Sequence, residues 1–589
     1  MFVRVQKVRQ GGRLYEYVHI VEGYRDESGK VRHRVVANLG RRDRLKDSGA
    51  LDNLAAAFTR LDPAPGRYLV GPLALVAPVL ERLDLVGIVD RACPMRGRSS
   101  LTHGEVVAAL VANRLCAPRP LYDVVGWAEA YAAADWLGTP AALLNDDRLG
   151  RALDALAPRL GEVAGALGLA AVSAYGVDAA RLHWDFTSVA FCGAYADQDG
   201  AAPKVAFGHS SDRQGHRRQL KVAQAVSASG VPLYHRVVSG GRDEGAETGA
   251  LLERLRALAA PRRLLLVADS ALVSKANLAA ADAAGMRFVS RLPRTFACEE
   301  EALTLPEMAW RRLDYCSERA RRLPTGELPT YCGADGVIEM TGDDRVARRF
   351  RVLYVRGSEE TDAARTSRAK LLTRAEEALA RVARGLERRP LRDRERAEQR
   401  VAKALSAGRV ATYLRTELTA ASDGSLRLAW RRDDDAIADA ARRDGLYALV
   451  TNLTSSQCSP DRLLRLYKDQ AGVERAHHFL KGPLAVRPVF LHSNRRAAAL
   501  VGVCSMALMV YGLVEAEVRQ AIAPQRTIPG LLPEGRAARP TAANIFGAFA
   551  SWGFQRVRTT NGLSSIPDPI TATQQTILDA LGIASLLPS

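Results

Sequence analysis

The chain has 589 residues, 47% of them hydrophobic, and carries 83 Lys plus Arg against 65 Asp plus Glu for a formal net charge of +18. That length is too great for one core and implies three to four folding units, while the apolar content excludes a disordered chain. The cationic excess favours a polyanionic partner, nucleic acid foremost.

Residues 1–45 alternate as strands do (FVRVQKV, YEYVHIVEGY, RHRVVANLG), with turns at RQGG and RDESGK, and predict a small basic β module. A short helix and the linker DPAPG (62–66) follow. Residues 70–170 read as helices, in GPLALVAPVLERLDLVGIVDRA, THGEVVAALVANRLC, LYDVVGWAEAYAAADWL and DDRLGRALDALAPRLGEVAGALG. Thr102 and Glu105 form a capping-box pair, and Asn145 to Asp147 can cap the last of these helices. The module suits DNA binding, and equally a plain helical scaffold.

From 181 the pattern becomes β-β-β-α-β-α-β: RLHWDFTSVAFCG, LKVAQAVSASG, VPLYHRVVSG, the helix GAETGALLERLRALAA, the strand RRLLLVADS, the helix SKANLAAADAAG and the strand RFVSRL. Such an order gives a mixed sheet with helices on its faces. Strand-like GVIEMTG and RRFRVLYVRG and a charged helical stretch from 367 to 405 then interrupt it, before DGLYALVTN restores a strand. The run AAALVGVCSMALMVYGLV (497–514) approaches the length of a membrane span, but its small residues mixed with Cys, Met and Tyr, and its charged flanks, predict a buried helix. The eight cysteines form no CxxC pair, which argues against structural zinc or a disulfide framework and for buried reduced thiols in a cytoplasm. The N-terminus has no apolar stretch of the kind a secretory leader needs.

Three acids stand out. Asp185 lies inside the first core strand, Asp269 at the end of LLLVA, and Glu474 in YKDQAGVERAHHFLK (467–481), which reads as a helix. At about 100° per residue, Tyr467, Gln470, Glu474 and Lys481 share one stripe of that helix. A buried unpaired carboxylate is costly, and converging acids repel; hard Mg2+ or Mn2+ relieves both and prefers oxygen ligands. Two such ions about 4 Å apart can activate a water and hold the leaving oxygen of a phosphodiester. Taken singly, either aspartate also reads as a cap or strand end. His183, two residues before Asp185, reads as a packed histidine or as support for the acid, Trp184 as core, and His477 and His478 as flanking the site helix without being ligands. Arg213, Arg217, Arg218 and Lys221 read as a basic edge, solvated or facing DNA; Asp212, Asp243 and Asp282 read as turn or helix-surface acids.

On these motifs, together with DFTSVAFCG, GHSSDRQGHRRQLKVAQAV, VADSALVSKANL and VRPVFLHSNRRAAALVGVCSMAL, the chain resembles the bacterial insertion-sequence DDE transposases, and more narrowly the group whose helix carries Tyr, Arg, Glu and Lys at the spacing of Tyr467, Gln470, Glu474 and Lys481. Gln470 stands where that group has Arg; the charge is lost, although an amide still donates to a phosphate oxygen. The resemblance covers nearly the whole chain. It implies an RNase H-like mixed-sheet core (179–295 and 444–520) interrupted by a β-containing insertion (296–443). A β module with a short helix (1–61), a helical DNA-binding domain (67–178) and a C-terminal extension (521–589) would flank it. Asp185, Asp269 and Glu474 would hold two Mg2+ or Mn2+ ions, and Tyr467, Gln470 and Lys481 would hold the DNA backbone. The implied activity is cleavage of DNA at the element ends and strand transfer into a target, by a homodimer associated with the nucleoid in the cytoplasm. Three alternatives stay open: a structure-specific nuclease of the same fold, a non-catalytic DNA-binding derivative, and a carboxylate hydrolase acting on sugars.

Overall fold

The computed structural model describes every residue except 1, 11–12, 26–30, 43–65, 96, 98, 194, 196–199, 201–202, 209–216, 250–251, 253–263, 297, 318–319, 321–323, 325–327, 389–392, 407, 423, 470–476, 481, 483–490, 492, 524–525, 560–561 and 585–589. The fold is mixed α/β and divides into two units, the first Met1–Asp243 with Arg254–Ala260 and Gly472–Ser589, the second Glu244–Glu253 with Pro261–Ala471.

The first unit opens with an antiparallel meander, β1 (Phe2–Gln10), β2 (Arg13–Arg25) and β3 (Val31–Arg41), where alternation predicted it. The expected short helix and its linker fall on 43–65, outside the described residues. After β4 (Gly66–Leu69) come α1 (Leu73–Arg82), α2 (Leu85–Ala92), α3 (His103–Cys116), α4 (Val124–Ala130), α5 (Ala133–Leu137), α6 (Asp146–Leu156) and α7 (Leu160–Tyr175). The Thr102 capping box is present: Glu105 N–H donates to Thr102 Oγ1 at 3.1 Å and Thr102 N–H to Glu105 Oε2 at 2.6 Å. Asn145 caps α6.

The longer predicted helices are broken. Asp84, with φ of 50°, separates α1 from α2, and Ala132, with φ of 47°, separates α4 from α5. Each sits in the left-handed region that a right-handed helix cannot contain. A 3-10 turn at Ala157–Arg159, containing Pro158, divides α6 from α7; proline has no N–H to give the preceding turn.

Three antiparallel strands follow, β5 (Arg181–Phe191), β6 (Arg218–Ser227) and β7 (Pro232–Ser239), with β6 in the middle. Their residues are buried on both faces, as the near-continuous apolar runs require.

The second unit carries six neighbouring sheet strands in the order β10 (Arg311–Leu313), β11 (Tyr331–Thr341), β12 (Ala347–Gly357), β15 (Leu446–Thr451), β9 (Arg287–Arg291), β8 (Leu265–Ala268), antiparallel except for β8 and β9. The strands read as an insertion therefore extend this sheet through β15. Between β8 and β9 runs α8 (Lys275–Ala283), and α9 (Cys298–Thr304) precedes β10. The charged stretch forms a helical pair, α10 (Ser358–Arg388) and α11 (Arg394–Leu405), beside the hairpin β13 (Leu414–Ala420) and β14 (Leu426–Arg432). The group has its own core of Leu372, Leu379, Val401, Val410 and Leu414. The ion pair Arg368–Asp444, almost fully buried, ties the root of α10 to the start of β15. After α12 (Asp434–Arg442) and β15 comes α13 (Pro460–Lys468), capped by Ser459.

The first unit resumes with α14 (Asn494–Ala521), which is long and apolar enough to cross a membrane yet 94% buried over its most apolar window. It packs on α3, α6, α7 and β7, as a core helix. Asp146–Tyr175 meets the same length and composition criterion with 39% of its window buried, and is divided by the 3-10 turn. In the C-terminal segment, α15 (Ala542–Ala548) leads to a hairpin, β16 (Gly553–Thr559) and β17 (Gly562–Pro567), and β16 pairs with β4. α16 (Ala572–Ala580) starts at a second capping box, Thr571 with Gln574. Among the described cysteines, Cys93, Cys458 and Cys504 are buried, but Cys192 is exposed, against the expectation of buried thiols throughout.

Candidate active site

Asp185 lies midway along β5, opposite Gln224 of β6, and its side chain is 35% exposed. The backbone N–H of Phe186 donates to its Oδ1 at 2.8 Å, a local bond rather than a helix cap. Its other oxygen, Oδ2, lies 3.5 Å from His477 Nδ1, and the His477 side chain is only 12% exposed. Protonation of that imidazole turns the contact into an ion pair. The neighbouring Trp184 is buried, with its ring edge-on to Phe186 at 5.5 Å.

Asp269 follows the last residue of β8 and precedes a 3-10 turn at Ser270–Leu272. Its backbone carbonyl is engaged, accepting from Ser290 Oγ at 2.8 Å and from Leu272 N–H at 3.1 Å. Its side chain makes no capping bond and the residue is exposed. The burial cost expected for this acid is therefore absent, and so is the alternative in which it serves as a cap. Glu474, Gln470 and Lys481 lie outside the described residues.

The helix predicted over 467–481 differs. α13 ends at Lys468, and Asp469 has left the helical conformation with ψ of 31°. Residues 477–480 are helical. Tyr467 belongs to α13 and is half-buried; it packs against the core cluster that includes Val267, Leu449 and Leu463, with its ring 6.2 Å from that of Tyr447. Lys468 pairs with Glu360 and sits over the rings of Tyr331 and Tyr447.

Sequence reasoning passed over two further features. His477, and not the exposed His478, is the imidazole at Asp185; the sequence alone reads both as flanking the site helix and neither as a ligand. The second is a set of buried polar atoms without hydrogen-bond partners on the Asp185 face of β5–β7: both ring nitrogens of His183, Thr187 Oγ1, both amide atoms of Gln224 and Nε2 of His235. Each unmet buried donor or acceptor costs about 1–3 kcal/mol, which an apolar face would not carry. Burial lowers both His183 and His235 to about 4, so both are neutral. Lys221 is buried and donates to the carbonyl of Arg242 at 3.0 Å, which removes it from the expected basic edge, and Arg218 stacks over Phe207 at 4.8 Å. Asp282 is a helix-surface acid, as expected, and accepts from Asn452 Nδ2 at 3.1 Å.

Asp185, accessible beside an imidazole, and Asp269, exposed with no capping role, each offer the carboxylate oxygens that hard cations take. Among the described residues no three His, Cys, Asp or Glu gather as a metal cluster, and Glu474 is not among those residues.

Residues 183–510 match the transposase DDE domain, which spans more than half of the chain and both aspartates, and the chain belongs to that family of DNA transposases. Its activity is thus divalent-metal-dependent chemistry on DNA. Residues 2–64 are similar to the N-terminal domain of IS1634 family transposases, and residues 68–160 to a domain of unknown function. No curated protein matches the chain.

Proposed function

We propose that the chain cuts and joins DNA at the ends of its own insertion sequence with Asp185, Asp269 and Glu474 as the metal-holding acids of an RNase H-like core. The supporting observation is the contact between His477 and Asp185. Glu474 precedes His477 by three residues, so chain connectivity alone keeps their Cα atoms within about 11 Å. That short span of chain supports reading Glu474 as the third acid.

Three carboxylates suit two Mg2+ or Mn2+ ions. When bound, such ions supply Lewis acidity toward a phosphodiester and a water of lowered pKa. The protein's own contribution is positional. β5 fixes the Asp185 backbone within a paired ladder, the Phe186 N–H orients one carboxylate oxygen, and His477 limits the freedom of the other. Tyr467, Gln470 and Lys481 act on the DNA backbone, the first through its hydroxyl and the others as donors to phosphate. Gln470 assigns the chain to a variant of the Tyr-Arg-Glu-Lys group in which an amide replaces the guanidinium. The α10–α11 pair grips DNA beside the site, two copies of the chain pair two ends, and the protein works at the nucleoid.

The test uses linear DNA bearing the element ends, with and without Mg2+. Wild type should release a 3′-OH end and join it to a target only with the metal present. Asp185→Asn, Asp269→Asn and Glu474→Gln should each abolish both steps; wild-type rates in these variants would sink the assignment. Cleavage without joining of pre-cut ends would identify a nuclease instead.

A further inference from the structure

The strand register sets Asp185, Gln224 and His235 directly opposite one another on β5, β6 and β7. Directly opposed residues of antiparallel strands project from the same face. Gln224 is fully buried in a strand whose neighbouring residues are Val222, Ala223, Ala225 and Val226. Neither its amide oxygen nor its amide nitrogen has a partner, and the same holds for Nε2 of His235. The same deficit recurs on that face at His183 and Thr187, two residues to either side of Asp185. Such atoms also occur elsewhere in the protein, but six of them share this one face with the Asp185 carboxylate.

We propose that Gln224 is a positioning residue for Asp185, its amide N–H donating to the Asp185 carboxylate in the metal-loaded protein while its carbonyl accepts from His235. The inference rests on the reading of Asp185 as a metal ligand. The direction of the relay follows from chemistry. A carboxylate only accepts, so the amide must turn its NH2 toward Asp185. The carbonyl is left for the neighbour on the other side, and a neutral imidazole still has one N–H to give. Outer hydrogen bonds of this kind fix the orientation of a ligating carboxylate, and their loss typically weakens metal binding about 10–100-fold.

The experiment is a Mn2+ titration of the full chain without DNA, read as free Mn2+ by electron paramagnetic resonance, with a thermal melt of each protein. Gln224→Met keeps the shape and removes the donor. It should weaken Mn2+ binding about 10–100-fold while melting at or above the wild-type temperature, because an unsatisfied amide has been removed. His235→Phe should weaken binding in the same direction and by less, and decides the matter if Gln224→Met does not fold. A merely structural Gln224 would shift the melt and leave the Mn2+ affinity alone. Asp185→Asn separates the two ideas. If it binds Mn2+ as wild type does, the metal-ligand reading of Asp185 fails. If it loses binding while Gln224→Met and His235→Phe retain wild-type affinity, that reading stands and the positioning role of Gln224 is overturned.

Discussion

His235 sits on the middle of β7 with burial holding its pKa at about 4, against an ordinary value near 6.5. The unfolded chain binds its proton about 2.5 pH units earlier than the folded one. The neutral ring therefore contributes stability that is complete above about pH 6.5 and is lost as the pH falls toward 4, up to roughly 3 kcal/mol. The urea midpoint of wild type should drop between pH 7 and 4.5 by more than that of His235→Phe; equal drops would show that this imidazole is not what acid attacks. At the same scale, the two aspartates stand out in the sequence because an acid inside or ending an apolar strand breaks a pattern. The environment of each was not legible. Asp269 is exposed rather than buried, and Lys221, read as surface charge, is buried against a carbonyl. Sequence distinguishes residue types along a strand, but the neighbours that bury or expose them come from strands and loops distant in the chain.

Secondary-structure elements were most legible where local chemistry decides them. The capping box at Thr102 begins helix α3, and the alternating runs became β1–β3. Breaks within apolar helical stretches were not legible, because the left-handed residues at Asp84 and Ala132 carry no glycine to announce them. The end of α13 was not legible either: the polar residues of 467–481 satisfy helical spacing, yet the helix stops at Lys468. The join between α2 and α3 gives a test at this level. Gly104 lies so close to α2 that an added Cβ would stand 2.3 Å from the carbonyl oxygen of Val86. Its N–H donates to Asp90 Oδ1 at 2.7 Å. Gly104→Ala gains helix propensity worth up to about 1 kcal/mol, but must push two backbones apart, which typically costs about 1–3 kcal/mol. The variant should melt below wild type; a higher melting temperature would mean that the contact yields easily.

For the whole molecule, the charge of +18 was the most direct pointer to DNA, and it makes a quantitative demand. If the chain neutralises about six to ten phosphates, its affinity for a DNA end should fall roughly 10³- to 10⁵-fold between about 50 and 200 mM salt, as the logarithmic slope of binding against salt would show. A slope near zero would leave the excess cations without a role on DNA. Domain order was only partly legible, since no local signal reports that β16 returns to β4, or that α14 fills the interior built by residues 73–175. That last arrangement has a temporal consequence. The apolar surfaces of the early helices have no cover until residue 521 has left the ribosome, on the order of half a minute or more after synthesis begins. A copy of the gene interrupted upstream of that point should yield a sticky, protease-sensitive fragment rather than a stable competitor for the ends.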